Sequence, residues 1–450
     1  MKSNEPMSTV RMTHGARIPS ELSRGQRGEE MRAIVRFVLA MALVALPAMA
    51  QGKPGKTGRS QSTGAIECSV TSGQLDKLNG SPAELVLVSG KRIKDVTIVK
   101  FVRGSNKDTV RTVVYRRPKR KTASRLRVGS LAQIVAAEKA YDLVAVPALK
   151  AWVLVDVDEK TKVVSARLKA KGRQVWPKLS AEQQADAVRE HKKFLADVRR
   201  KFSGLPLRLY ETKFFLFLTD IPAAQIGVYI AHLDKMSVEL GKRFGVAPGE
   251  NIWRGKAVFV VFVNQASFVQ FETSVMKMPL ASTNRKQGIC HQNNRNGDVI
   301  VACHRGNDPN YFAQVLVHET THGYLHRFKS SARVPSWLNE GIAEWVSTIV
   351  VRSSPAPLKR QAEAVLRLKQ TGVVGPSFFG KKIESWHYGI ASRITDSMIT
   401  QNSRAFGAWI VSIKEGIEWS QGLQKTFGVT PQQLLLRYGR SIGVPMIRLQ

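Results

Sequence analysis

Two histidines, His318 and His322, bracket Glu319-Thr320-Thr321. On a helix this spacing stacks both imidazoles on one face, a turn apart, where their nitrogens can share a metal ion. Glu319, beside the first histidine, then stands next to the ion's open position, where a general base is needed. The chemistry this set could do is hydrolysis by metal-activated water, and one zinc ion per chain suits the donors. A catalytic zinc needs a third protein ligand. Downstream, Trp337-Leu338-Asn339-Glu340-Gly341 supplies Glu340, and Glu344 follows one turn later on the same face. Two histidines that merely fill a core are the alternative.

The motif requires a helix, and the surrounding residues specify one. Asp308-Pro309 reads as an N-cap followed by Pro at the first helical position. No further Pro or Gly occurs until Gly323. On a helical wheel Tyr311, Val315, His318, His322 and Leu325 share one side. Pro335 opens a second helix that carries Glu340 and Glu344.

His318-Glu319-x-x-His322 with Asn339-Glu340-Gly341 resembles the gluzincins, metallopeptidases whose third ligand is a Glu on the following helix. The Trp-Leu-Asn-Glu-Gly wording is similar to that of the zinc aminopeptidases, where the spacing is one residue longer. Bacterial peptidase-MA-like domains are closer in layout. The resemblance spans roughly Leu207 to Arg437. It implies an α+β fold: a zincin-like catalytic domain, with a mixed sheet, a metal-binding helix and a helical C-terminal half, preceded by a small β-rich module. It also implies that His318, His322 and Glu340 bind zinc and that Glu319 is the general base. Glu344 would accept the N–H of a ligating histidine and fix its tautomer. An edge strand just before the metal helix binds extended peptide in such enzymes, and Gly297 to Cys303 holds that place. Trp386-His387-Tyr388 lies where similar families keep an oxyanion donor, with Tyr388 as the first choice and His387 as the fallback.

A second expectation concerns the segment before the metal helix. Asn296-Gly297 is a two-residue type I′ hairpin signal. Centred there, Arg295 pairs with Asp298, and Cys290 falls opposite Cys303 at a non-hydrogen-bonded site. Cα atoms at such a site are about 4.5 Å apart, within disulfide range. A Cys290–Cys303 disulfide is expected, with two buried thiols as the alternative. Cys68 falls outside the pair. It reads either as a thiol masking zinc in a latent form or as an inert one.

Taken in order, residues 1–30 are polar and patternless, consistent with a true start at Met31. Residues 31–50 carry Arg32 and Arg36, an apolar run from Phe37 to Leu46 and Ala48-Met49-Ala50, which together read as a secretory signal peptide. An uncleaved N-terminal anchor is the other reading of that stretch. Export to the periplasm, cell surface or medium follows, with no transmembrane span after cleavage. Residues 51–65 form a Gly/Lys/Ser-rich linker. Residues 66–204 read as the β-rich module plus a helical connector, and 205–450 as the peptidase domain. In the module, Ala132–Tyr141 reads as helix and Val163–Leu168 as strand. Beyond it, Leu207–Leu218 reads as a single strand.

The formal charge is +35, from 69 Lys and Arg against 34 Asp and Glu. Arg116-Arg117-Pro118-Lys119-Arg120-Lys121 is its densest run. Without a recognition helix, zinc finger or aromatic RNA-binding strand, no specific nucleic-acid motif accompanies it. Its readings are a solvated loop or a contact to an anionic surface or polymer. The functional expectation is therefore an exported zinc metallopeptidase acting on peptide or protein. Two rivals stand beside it: a catalytically inactive zincin-fold protein that binds an anionic polymer, and an amide or ester hydrolase of the cell envelope.

Overall fold

β-branched runs separated by short polar turns build the first sheet. The computed structural model describes residues 68–146 and 151–449. The segments read as signal peptide and linker lie outside the described residues. A short helix α1 (Ser72–Lys77) precedes strands β1 (Pro82–Leu87), β2 (Arg92–Arg103), β3 (Val110–Arg116), β4 (Ser124–Arg127), β5 (Leu131–Ala136), β6 (Lys139–Val146) and β7 (Ala151–Asp156). They run in the order β2-β1-β5-β6-β7-β3-β4, and β2 also pairs with β3, which curls the sheet back on itself. Leu85, Ile98, Val113, Ile134 and Leu154 fill its interior.

Two expectations for this region fail. The segment read as helix, Ala132–Tyr141, is the β5–β6 hairpin, whose turn places Ala137 and Glu138 at φ 49° and 61°. The segment read as strand, Val163–Leu168, lies inside helix α2 (Val157–Ala170), started by Asp156, whose carboxylate accepts from the amides of Asp158 and Glu159. Helix α3 (Ala181–Lys201) begins at a capping box formed by Ser180 and Gln183. Its residues Leu195 and Val198 pack on the second sheet, so the helix read as a connector shares that sheet's core.

The second sheet holds β8 (Arg208–Glu211), β9 (Phe215–Thr219), β10 (Ala257–Phe262), β11 (Gly288–Gln292) and β12 (Val299–His304). Their order is β11-β12-β10-β9-β8. β9, β10 and β12 are parallel, while β8 and β11 run antiparallel at the two edges. Leu207–Leu218 is thus two strands rather than one. Thr212 breaks it, its hydroxyl accepting from the amides of Phe214 and Phe215. Helices α4 (Ala223–Phe244), α5 (Gln265–Ser274) and α6 (Leu280–Thr283) lie between the strands in sequence. β9 and β10 are wholly buried, as parallel strands covered on both faces must be. Phe215, Phe217 and Phe259 face one core with α4, and Leu216, Val258 and Val260 face another with α3 and α5.

The remainder is helical: α7 (Pro309–Arg327), α8 (Ser336–Val350), α9 (Ala356–Thr371), α10 (His387–Lys414), α11 (Trp419–Phe427) and α12 (Pro431–Ser441). Asp308 caps α7 through its carboxylate, which accepts from the amides of Asn310 and Tyr311 at 2.9 and 3.0 Å. α7 is buried on nearly every side rather than along one stripe, because β11, β12, α4 and α8 all pack on it. α10 carries a break at Asn402, whose backbone is non-helical. Trp337, at the head of α8, is fully buried among Phe378, Phe379, Trp409 and Trp419. Among the described residues no helix is long and apolar enough to cross a membrane. The chain is thus a mixed α and β fold, sheet-rich in its N-terminal part and helical in its C-terminal half.

Candidate metal centre

α7 and α8 bring the histidines and carboxylates together. The rings of His318 and His322 lie 4.7 Å apart and nearly perpendicular, as stacking over one helical turn allows. His318, Glu319 and His322 form a group whose candidate ligand atoms all lie within 4.8 Å of one another, so this group could hold a metal. From α8, Glu340 comes closer still to both rings: its Oε2 is 3.2 Å from His318 Nε2 and 3.5 Å from His322 Nε2. Glu340 and both imidazoles are deeply set. Burial would lift the carboxyl's pKa, but the two imidazoles outweigh it and hold it well below the usual range. His318 is the mirror case. Burial would lower its pKa, and Glu340 and Glu344 together hold it well above the ordinary value.

The other nitrogen of His318 meets a second carboxylate. Nδ1 lies 3.1 Å from Glu344 Oε1, and Glu344 is 2 % exposed. Arg360, on α9, grips that carboxylate from the far side, with Nη2 at 2.8 and 2.7 Å from its two oxygens and Nε at 3.1 Å from Oε2. This fork is the planar pairing a guanidinium makes best. The sequence reading contains Glu344 but not Arg360. Nothing local to Arg360 signals its role, since it reaches Glu344 only because α9 folds back over α8.

These residues line one cleft of about 590 Å³, along with Gly288, Cys290, Gln314, Val315, Tyr311 and Tyr388. Tyr388 stands at its wall, its ring stacked over His318 at 6.2 Å and 18°. Burial, then the carboxylates of Glu340, Glu319 and Glu344, pushes its phenol's pKa up, so it keeps its proton. His387 does not serve as the fallback. It is fully buried, donates from Nε2 to the Val374 carbonyl at 2.7 Å and accepts on Nδ1 from the Glu384 amide.

The cysteine pairing is corrected. Cys290 and Cys303 are free thiols, and the register places Cys290 opposite Val301 and Cys303 opposite Gly288. The strands close later than a two-residue turn would have them, from the Gln292–Val299 pair onward. Asn293 to Asp298 forms the loop: Asn293 N–H donates to the Asp298 carbonyl and Gly297 N–H to that of Asn293. Asp298 is also tied by His191 at 3.0 Å and by Arg254 at 3.0 Å, contacts from distant segments that fix the longer loop. The shift leaves the two cysteines diagonal on one face of the sheet. The edge strand moves as well. Gly297 to Cys303 falls largely in β12, which has a neighbour on each side, and the free edge before the metal helix belongs to β11.

Two further contacts set the height of α7. A Cβ on Gly288 would lie 2.9 Å from Glu319 Cγ and 2.8 Å from Cys303 Sγ, so the glycine lets the turn that carries Glu319 rest on β11. At the other end, a strap from the N-terminal part crosses the helix terminus. Trp176 Nε1 donates to the His326 carbonyl at 2.9 Å, and the Gln174 amide side chain bonds the carbonyls of Asn294 and Arg295. Comparison with protein-family models and with curated proteins gave no match.

Proposed function

We propose that the chain is a zinc-dependent hydrolase of peptide bonds whose C-terminal part is zincin-like. The spacing of the donor atoms carries this reading. Ligands each about 2.0–2.1 Å from one tetrahedral zinc are separated from one another by about 3.3–3.4 Å. The separations of Glu340 Oε2 from the two Nε2 atoms, 3.2 and 3.5 Å, bracket that edge. His318, His322 and Glu340 would hold the ion, and Glu319 and Tyr388 line the same cleft. When bound, zinc polarises the scissile carbonyl and acidifies a water.

The protein's own groups do the rest. Glu319 takes the proton from the attacking water and hands it to the leaving amine as the C–N bond breaks. Tyr388, protonated, donates to the oxygen on which negative charge develops. Glu344, gripped by Arg360, holds the His318 ring through its Nδ1. The unpaired edge of β11 offers backbone N–H and C=O groups to an extended substrate. Export is part of the proposal and rests on the composition of residues 31–50 alone.

A second reading is favoured by one observation. Arg116, Arg117, Lys119, Arg120 and Lys121 surround an exposed surface hollow near Asp95 and Thr97, a place where an anionic polymer could bind. Salt-sensitive retention on such a polymer, unchanged by zinc removal, would favour an inactive binding protein.

The decisive experiment measures zinc in the purified chain and in His322→Ala, and peptide turnover in Glu319→Gln. The proposal expects near one zinc per chain, lost in His322→Ala, and Glu319→Gln that keeps zinc and loses turnover. Normal turnover in Glu319→Gln would sink the mechanism.

A further inference from the structure

One polar group in the cleft wall has no part in the scheme above. Gln314 sits on α7 one turn before His318, lines the cleft and is 2 % exposed. Its side-chain oxygen is buried with no hydrogen-bond partner. A buried amide left in that state is costly, and such groups in native proteins call for an explanation.

Several of the charged groups nearby are engaged with one another. Arg360 gives Nε and Nη2 to Glu344, Glu344 also meets His318, and Glu340 meets both imidazoles. A carboxylate entering here would meet Glu340 and Glu344, and an ammonium group would be drawn to those carboxylates rather than to a neutral amide. Gln314 itself offers the hydrogen-bonding capacity of a neutral amide. The partner that satisfies an amide in both directions is another amide, donating to the free oxygen and accepting from the NH₂. Tyr311 and Val315, beside Gln314 in the same wall, would take the methylene stem.

Position ties this group to the reacting bond. Four residues along a helix advance about 6 Å, and one residue of extended substrate spans about 3.3 Å. Gln314 therefore lies within one or two substrate residues of the scissile bond at His318.

We infer that Gln314 is a specificity determinant, selecting peptides with a carboxamide side chain, Asn or Gln, next to the bond that is cut. This rests on the peptidase reading and adds the substrate class.

The test digests a degenerate peptide library with the zinc-loaded chain and reads the cleavage sites by mass spectrometry. Single peptides follow, carrying Gln, Met, Glu or Lys at the selected position. The expected result is a kcat/KM for Gln over the apolar near-isostere Met of about ten- to a hundredfold, as leaving a buried amide unpaired implies. Gln314→Leu should erase or invert that ratio with zinc content unchanged. Gln314→Glu, which keeps the side chain's shape, should shift the preference toward Lys and guards against a misfolded first variant. Cleavage with the same ranking in all three chains overturns the subsite alone. Absence of cleavage by the zinc-loaded wild type overturns the peptidase reading, and the subsite with it.

Discussion

Replacing Lys414 by Met tests how the end of the metal helix is held. Lys414 closes α10, is 1 % exposed and forms no ion pair among the described residues. Its ammonium donates to the carbonyls of Leu325 at 2.8 Å, Ala332 at 2.7 Å and His326 at 3.4 Å. Two of these carbonyls end α7, where a helix presents its negative pole. Burial first, and then the positive charges of Arg173 and Arg327, push its pKa down to about 7.

The direction of the pH effect follows. In the unfolded chain a lysine titrates near about 10.4. Between about 7 and that value the unfolded state binds the extra proton, so stability rises with pH across this window. The cost of burying the charge, about 5 kcal/mol from the gap between the two values, is present in full below about pH 7 and is lifted toward pH 10. Met removes the charge and leaves the Leu325 and Ala332 carbonyls without this donor, while the His326 carbonyl keeps Trp176 Nε1. Each carbonyl left unpaired costs about 1–3 kcal/mol, so at neutral pH the two effects largely offset each other. The hydrogen-bond loss does not titrate, which makes the pH slope diagnostic. His326, with its pKa lowered to about 4 chiefly by burial, stays neutral throughout the window.

Denaturant unfolding of wild type and Lys414→Met at about pH 7.5 and about pH 9.5 should show the wild type gaining roughly 2–3 kcal/mol relative to the variant. A stability difference equal at both pH values, or moving the other way, would refute a depressed, charge-bearing lysine at this position.

Three further expectations concern turnover and metal binding. Tyr388→Phe should lower kcat by about 10²–10³ with KM little changed, as for loss of one oxyanion donor, read by steady-state kinetics on any cleaved peptide. Arg360→Met should weaken zinc affinity by about 10–100-fold by freeing Glu344 from one side, measured by competition with a chelator; unchanged affinity would mean that Glu344 holds His318 unaided. Gly288→Ala should reduce kcat while zinc stoichiometry holds, because its Cβ would press on Glu319 Cγ at 2.9 Å and not on a ligand, with metal analysis beside kinetics as the check.

What was legible in the sequence is what local chemistry decides. The cap at Asp308, the capping box at Ser180 and the four-residue spacings of His318–His322 and Glu340–Glu344 each specify a helix without outside help. The failures lie where a distant partner or an unusual turn decides. β5 and β6 meet at Ala137-Glu138, which adopt positive φ without the Gly or Asn that marks such turns, so an Ala-rich hairpin read as helix. The cysteine register followed from the Asn296-Gly297 signal, but His191 and Arg254, remote in sequence, hold Asp298 within a longer loop. Arg360 could not be found for the same reason.

The Asn339-Glu340-Gly341 run shows how closely packing and chemistry are joined here. Its glycine contributes no ligand atom to the candidate metal site. A Cβ at Gly341 would stand 2.7 Å from the Ala391 carbonyl oxygen on α10, a backbone atom that cannot move aside alone. The residue is small so that α8 can lie against α10, and that contact, with Trp337 buried in the aromatic cluster at the helix head, fixes how far α8 reaches toward α7. Glu340 meets both imidazoles at 3.2 and 3.5 Å only at that reach. Since one turn of α8 also carries Glu344, the same placement aligns the carboxylate behind His318. A shift of α8 by even 1 Å, about the scale that costs a hundredfold in an enzyme site, would loosen ligand and support together. The glycine beside the glutamate is thus a requirement of helix contact, and the placement of Glu340 against the two imidazoles depends on it without touching it.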